Sequence, residues 1–232
     1  MIKSNLNKIN IDELINVDEY IVNKDTNLFC LLESKEDINL NIKVDNANLI
    51  LNIFSYKSKD ININVCLDNK ASIKLNTSIM SFNKQDININ VNHIGSNTIS
   101  DINNNASSYE NGTVRFIVIS KVPKGIKGCV VNQKSKIISN NEANDNEINP
   151  ILLIDEYDVD AKHSAFIGTF NKDELFYLKT RGITDKDASN LLLNGLLVGT
   201  LDIEDEIKEE LIKNYLLLLE VKIWKQEKIF QY

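Results

Sequence analysis

From Leu28 onward apolar and polar residues alternate with a period of two, the mark of strands that bury one face. One unit repeats: Asp37-Ile-Asn-Leu-Asn-Ile-Lys-Val44 returns as Asp60-Ile-Asn-Ile-Asn-Val-Cys-Leu67 and again as Asp86-Ile-Asn-Ile-Asn-Val-Asn-His93. Asn48 to Phe54 and Ser72 to Ile79 lie between the copies and are also strand-like, so a strand recurs about every twelve residues and the unit about every 25. A period of this size predicts a stacked array in which each unit buries its face on the next. In a β-solenoid Ile, Leu and Val would form inward columns, with Asn, Asp and Lys at turns and outside. A β-sandwich gives a similar strand spacing, but the near identity of the copies favours the solenoid. Aligned Asn residues either form hydrogen-bonded ladders or reflect compositional drift at solvent positions.

Further strands are predicted at Val114 to Ser120, Cys129 to Val131 and Ile137 to Ile138. Asn140 to Asn149 reads as a polar turn, and Ile151 to Ile154 and Tyr157 to Val159 close the β region. Before Leu28, Ile11, Leu14, Ile15 and Asp18 through Ile21 suggest one or two helical turns.

The period then changes to that of helices. Asn171 has Glu174 three residues on, in capping-box spacing, and Gly182 stops the first helix. Thr184 caps a second, with Asp187 at the third position and Leu191, Leu192, Leu193 and Leu196 on its apolar side. Asp202 is expected to cap a third, on which Ile207, Leu211, Tyr215, Leu218 and Lys222 recur at helical spacing, with acidic residues in the first turns where the macrodipole favours them. Its apolar content around Tyr215 to Leu219 is too wide for one stripe and predicts packing on two sides. The chain divides into a short lead (residues 1–25), a β region (26–170) and a helical region (171–232).

Composition narrows the function. With 26 Lys and Arg against 33 Asp and Glu, the net charge of −7 argues against nucleic acid as a partner, because phosphate binding needs a basic surface. No apolar run approaches the ~20 residues of a membrane span, and the polar start, MIKSNLNKINIDEL, lacks a signal-peptide core. Cys30, Cys66 and Cys129 are odd in number and far apart, which predicts neither a disulfide framework nor a structural zinc site and fits a reducing cytoplasm. Cys66 and Cys129 read as small buried apolar residues.

Neither a phosphate-binding Gly-x-x-x-x-Gly-Lys-Ser/Thr nor a Gly-x-Gly-x-x-Gly is present, nor a Gly-x-Ser-x-Gly elbow or His-Glu-x-x-His. Asp155, Glu156, Asp158 and Asp160 form an acidic cluster of the kind polysaccharide-cleaving solenoids present, or a solvated face. Of the two histidines, His93 merely ends a repeat strand, whereas His163 sits where the β pattern gives way to helix. Read alone, His163 is a partly buried, backbone-bonded residue or a ligand.

The stretch around His163 resembles the SufB/SufD family, the scaffold subunits of SUF iron–sulfur cluster assembly. The resemblance is carried by Leu152-Leu-Ile-Asp-Glu-Tyr-Asp-Val159, His163-Ser-Ala-Phe-Ile-Gly168, Asp173-Glu-Leu-Phe-Tyr-Leu-Lys-Thr-Arg-Gly182, Ile183-Thr-Asp-Lys-Asp-Ala188 and Leu191-Leu-Leu-Asn-Gly195. It is strong over about residues 110 to 204 and looser over the preceding repeats. It implies a mainly β fold, a right-handed parallel β-helix followed by a C-terminal α-helical domain.

It also implies a non-catalytic scaffold that pairs through its β-helix with a SufB-like subunit and docks a SufC-type ABC ATPase through its C-terminal helices. The transient Fe–S cluster would form at the subunit interface. SufD-type chains have Cys-Ser-His-Gly-Ala where this chain has Ala161-Lys-His163-Ser-Ala165; the histidine is kept, the cysteine is not. The SufB-type turn cysteine and His-Glu-Ala are absent, so the likeness is to SufD, in a short variant. His163 is therefore the candidate interface ligand, since imidazole is a competent iron ligand. Phe176, Tyr177, Arg181, Leu192 and Leu196 are the candidate ATPase-docking residues. The alternatives are a single reduced scaffold acting as a homodimer, a paralogue kept only for structure, and a β-solenoid carbohydrate-binding or lyase protein.

Overall fold

The computed structural model of the chain describes residues 6–8, 18–33, 36–56, 59–140 and 144–229, with backbone alone for 6–8 and 222–229. Thirteen strands in these residues wind into two parallel sheets. The odd-numbered strands are β1 (Leu6–Lys8), β3 (Thr26–Leu32), β5 (Asn48–Ser55), β7 (Ser72–Ser81), β9 (Ile99–Ser108), β11 (Cys129–Ser139) and β13 (Val159–Gly168). The even-numbered ones are β2 (Tyr20–Val22), β4 (Ile38–Val44), β6 (Ile61–Leu67), β8 (Lys84–His93), β10 (Thr113–Val122) and β12 (Glu147–Ile154). Each sheet runs in order of sequence number, every neighbouring pair parallel. Each coil therefore contributes one strand to each sheet, which is a β-solenoid and not a sandwich.

The repeat explains the register. Ile38, Ile61 and Ile87 stack, as do Leu40, Ile63 and Ile89, and Ile42, Val65 and Val91. These columns and their counterparts Leu28, Leu49, Leu51, Ile53, Ile73 and Leu75 form one buried core between the sheets. Parallel in-register strands put like residues on the same face, so one misplaced residue per coil would turn the whole column outward. At the corners, Gly95 lies so close to Asn69 that a side chain would meet its backbone nitrogen at 2.1 Å. The outward Asn residues do form ladders: Asn88 donates to Asn62 at 2.8 Å and Asn62 to Asn39 at 2.9 Å, while Asn90 donates to Asn64 at 3.1 Å and Asn64 to Asn41 at 2.9 Å.

Three helices follow: α1 (Lys172–Thr180), α2 (Asp185–Leu197) and α3 (Asp205–Ile229). The Asn171 side chain accepts from the Asp173 N–H at 2.8 Å, and Thr184 accepts from the Asp187 N–H at 3.2 Å. Gly182 turns at φ +83°, a left-handed conformation that glycine adopts without penalty. The helices cover the outer face of the odd-numbered sheet, where Phe29, Phe54, Met80 and Ile138 meet Leu193, Leu197, Leu211 and Tyr215 in a second core. Tyr215 stacks on Phe54 at 5.8 Å between ring centroids and donates to Asn194. On α3, Leu211, Tyr215 and Leu219 are buried, whereas Leu217 and Val221 face outward and exposed, so the described residues cover one side of that helix.

Four sequence readings change. Tyr20 to Val22 is strand rather than helix, held parallel to β4, while Ile11 to Val17 lie outside the described residues. Cys129 to Ser139 is one strand, because the polar residues that appear to interrupt it, Gln133 and Ser135, are buried and bonded to Ser120 and Asn104 at 2.9 and 3.1 Å. The last strand does not end at Val159 but begins there and runs to Gly168, so His163 lies within a strand. Asp202 does not cap α3, which starts at Asp205.

Asp202 instead pins the α2–α3 connection to the sheet. Its carbonyl accepts from Asn52 at 3.1 Å and Asn27 at 3.3 Å, its N–H donates to Asn52 at 2.9 Å, and its carboxylate pairs with Lys74 at 3.3 Å. Asn76 also donates to Asn52, at 2.9 Å, and Asn105 donates to Thr200 at 3.0 Å. A second Asn row thus runs beneath the helices.

Candidate functional site

The solenoid ends on β12 and β13, which pair with β10 and β11 and, among the described residues, with no strand beyond them. On β11 the inward row is Cys129, Val131, Gln133, Ser135 and Ile137, all buried. Their register partners on β13 are Val159, Ala161, His163, Ala165 and Ile167, which therefore form the inward row of the last coil. Val159 and Ala161 still pack on Val131 and Cys129. From His163 onward nothing in the described chain lies over the row, and His163, Ala165 and Ile167 are exposed. Small Ala161 and Ala165 flank the imidazole and leave it open.

Ile151, Leu153, Phe166 and Ile167 surround this end as exposed apolar side chains, and Lys136 lies 5.4 Å from the Phe166 ring. An edge strand of ten residues with unpaired backbone groups and apolar neighbours is a template for association unless it is covered. Among the described residues no three His, Cys, Asp or Glu side chains converge as a metal site would require.

The acidic cluster resolves into separate roles. The Glu156 carboxylate accepts from the Gly125 and Tyr157 N–H groups, each at 2.9 Å, and these bonds hold its pKa below the ordinary value. It ties one turn to another. Asp160 points outward from β13, on the opposite face from His163.

His93 is the reverse of His163. It is fully buried, with Nδ1 at 2.7 Å from Thr98 Oγ1 and Nε2 at 3.0 Å from Ser100 Oγ. Thr98 donates to the Gly95 carbonyl at 3.0 Å, which assigns the proton to Nδ1 and leaves Nε2 to accept from Ser100. Burial pushes its pKa down to about 4. Cys129 lies 3.2 Å from Thr98, Cys30 is buried with its thiol pushed up to about 12, and Cys66 is half-buried on the outer face.

The candidate docking residues separate into a surface and its support. Phe176 is 67% and Tyr177 56% exposed on α1, none of whose residues is buried. Arg181 lies 5.2 Å over the Tyr177 ring and donates to its hydroxyl at 3.2 Å. Leu192 lines a groove of about 470 Å³ together with Asp173, Glu174, Tyr177, Leu178 and Leu191. Leu196, 8% exposed, lies in the second core and holds α2 against the sheet.

Comparison with known proteins bears on this arrangement. Residues 43–196 match the SufBD core domain of SUF system FeS cluster assembly. The chain belongs to the SufBD family. It is 37% identical over 110 residues to the iron–sulfur cluster assembly protein SufD of Bacillus subtilis (strain 168), a match covering 46% of this chain and 24% of that protein. Over 105 residues it is 26% identical to iron–sulfur cluster assembly SufBD family proteins of Mycobacterium tuberculosis (strain ATCC 25618 / H37Rv) and Mycobacterium leprae (strain TN), covering 45% of this chain and 12% of each. The match thus spans a quarter or less of these relatives' length. Family membership displaces the carbohydrate-active reading and places the chain nearer SufD. No helix of the described residues is long and apolar enough to cross a membrane.

Two features escaped the sequence reading. Gln133 sits in the inward row beneath His163, a position that the alternation phase from Cys129 and Val131 would have exposed. The Asn27–Asn52–Asn76 row had a signal too, a recurring Asn at one coil position, but its partner Asp202 is 150 residues from Asn52.

Proposed function

We propose that this chain is a non-catalytic, SufD-like scaffold subunit of a cytoplasmic iron–sulfur cluster assembly complex. It pairs through the open β12/β13 end with a SufB-like subunit or a second copy, and the nascent cluster is held as cargo at that interface with His163 among its ligands. The carrying observation is the uncapped last coil: an exposed imidazole on an inward row, framed by exposed apolar side chains and an unpaired edge. With no converging ligand set in the described chain, the remaining ligands come from the partner. A neutral imidazole supplies one iron ligand and raises cluster potential relative to thiolate.

The groove and exposed rings of α1 and α2 are the docking surface for a SufC-type ATPase. Gly168 ends the strand that carries His163, and α1 starts at Lys172. Motion imposed on α1 therefore reaches β13 directly, while Asp202 and its Asn row keep the α2–α3 connection fixed to the sheet. ATP-driven closure would strain the end of the solenoid and open the cluster site.

Co-expression with the ATPase tests the docking: the full chain is expected to retain it and a chain truncated after Gly168 to lose it, and retention by the truncated chain would end the idea. For the cluster site, anaerobic reconstitution of the co-expressed complex should show reduced iron occupancy in His163→Ala; unchanged occupancy would remove His163 from the ligand set. A homodimer that loads a cluster without any SufB-like subunit would favour the single reduced scaffold.

A further inference from the structure

We infer that Gln133 is a positioning residue for His163: its amide oxygen receives one ring N–H of the imidazole and so turns the other nitrogen, as a lone pair, out of the open end. The inference rests on His163 being the interface ligand, and it adds the group that sets the ligand's tautomer. Gln133 is 2% exposed, and its Nε2 donates to Ser120 Oγ at 2.9 Å and to the Ile151 carbonyl at 3.3 Å. The carbonyl accepts only, so this pair of bonds fixes which end of the amide is nitrogen. Oε1 is left buried without a hydrogen-bond partner.

A buried acceptor without a donor is uncommon and costly, and its surroundings restrict what can satisfy it. In register, Gln133 lies between Ile102 on β9 and His163 on β13, on the same face of the sheet. The Ile102 side chain has no polar atom. Within its own inward row the nearest polar neighbour, Ser135, accepts from Asn104 at 3.1 Å and makes no hydrogen bond to this oxygen. His163 is the register neighbour on the other side, and its exposed ring carries an N–H on the same face, one rung away.

When a partner covers the solenoid end, water is removed from the imidazole and one ring N–H must find an acceptor within the protein. Histidines that ligate metals are oriented in this way, the second nitrogen donating to a carbonyl or carboxylate that fixes the tautomer. Gln133 supplies that carbonyl from the interior of the solenoid.

The two-histidine composition makes the test direct. In the full chain labelled with 15N-histidine, tautomers are read at pH 9, with the His93 signals reporting that the interior remains folded. Wild type is expected to favour one His163 tautomer, and Gln133→Met, which removes the acceptor at similar length, to change the tautomer ratio about fivefold or more. Gln133→Glu, which keeps an oxygen at that place, is expected to keep the wild-type preference. A His163 ratio unchanged in Gln133→Met with intact His93 signals would overturn the assignment and leave Gln133 a purely structural bridge to Ser120 and Ile151. Loss of the His93 signals in Gln133→Met passes the decision to Gln133→Glu, where an altered preference overturns it equally. The underlying ligand reading fails separately: His163→Ala that retains full iron in the co-expressed complex removes it even where the tautomer responds to Gln133.

Discussion

The solenoid carries Asn rows on both outer faces, and the two faces differ only in what lies over them. On the even-numbered sheet, Asn39, Asn62 and Asn88, and beside them Asn41, Asn64 and Asn90, bond along the stack and remain partly open to water. On the odd-numbered sheet, Asn27, Asn52 and Asn76 occupy an equivalent row, but the Asp202 backbone lies across it. One row is a solvated repeat in which each amide has water as an alternative partner. The other is a buried docking strip whose amides have no alternative. The same residue at the same place in the coil therefore carries little energy on one face and a great deal on the other.

Tyr215→Ala should have the largest effect on this contrast. The ring is fully buried against Phe54 and its hydroxyl is bonded to Asn194, so truncation leaves a cavity at the centre of the second core. A loss of about 3–5 kcal/mol in urea unfolding is expected, with faster hydrogen exchange in α3. A loss under about 1 kcal/mol would mean that the helices are not held through this contact.

Asn52→Ala comes next. It removes the donor to Asp202, the acceptor for the Asp202 and Asn76 N–H groups, and leaves several buried polar atoms unmatched. Unmatched buried groups cost about 1–3 kcal/mol each, and partial relaxation brings the expected total to about 2–4 kcal/mol. Hydrogen exchange is the discriminating measurement: the α2–α3 connection should lose protection first, ahead of the solenoid. Simultaneous loss everywhere would show that Asn52 stabilises the sheet rather than the docking.

Much of this architecture could be read from the chain, and what could not was non-local. The repeats gave the columns, because a period-two pattern states which side of a strand is buried. Asn171 and Thr184 were legible as caps because capping is local. Asp202 has the same residue type and a helix following it, yet its partners lie on β3, β5 and β7. The last strand was cut short because alternation disappears where one face loses its cover, and His163 to Ile167 are exposed for that reason. At the candidate site, His163 stood out by scarcity alone. Gln133 did not, because a buried orphan acceptor is visible only once the neighbouring rungs are known.

The interior offers a third case, intermediate in size and dependent on pH. His93 titrates at about 4 in the folded chain against about 6.5 unfolded, because burial disfavours the charged ring. A depressed folded pKa means that the unfolded chain takes up the proton first. The contribution is complete above pH 6.5 and is lost as pH falls toward 4. By pH 5 the loss is about 2 kcal/mol relative to pH 7.5. Comparing urea midpoints of wild type and His93→Gln at both pH values isolates it from the carboxylates: the variant should show the shallower acid dependence, and parallel profiles would remove His93 as the cause.

The smallest effect belongs to the bare face. Asn64 donates to Asn41 at 2.9 Å and accepts from Asn90 at 3.1 Å, so by hydrogen-bond count it resembles Asn52. Its amide is nevertheless within reach of water, which replaces either partner once the side chain is gone. Asn64→Ala should therefore change stability by no more than about 0.5 kcal/mol, the usual range for surface positions. Set beside Asn52→Ala in the same urea series, the ratio of the two losses measures what the helices add to an otherwise equivalent rung. A loss above about 1.5 kcal/mol for Asn64→Ala would show that the ladder itself, and not its cover, carries the energy.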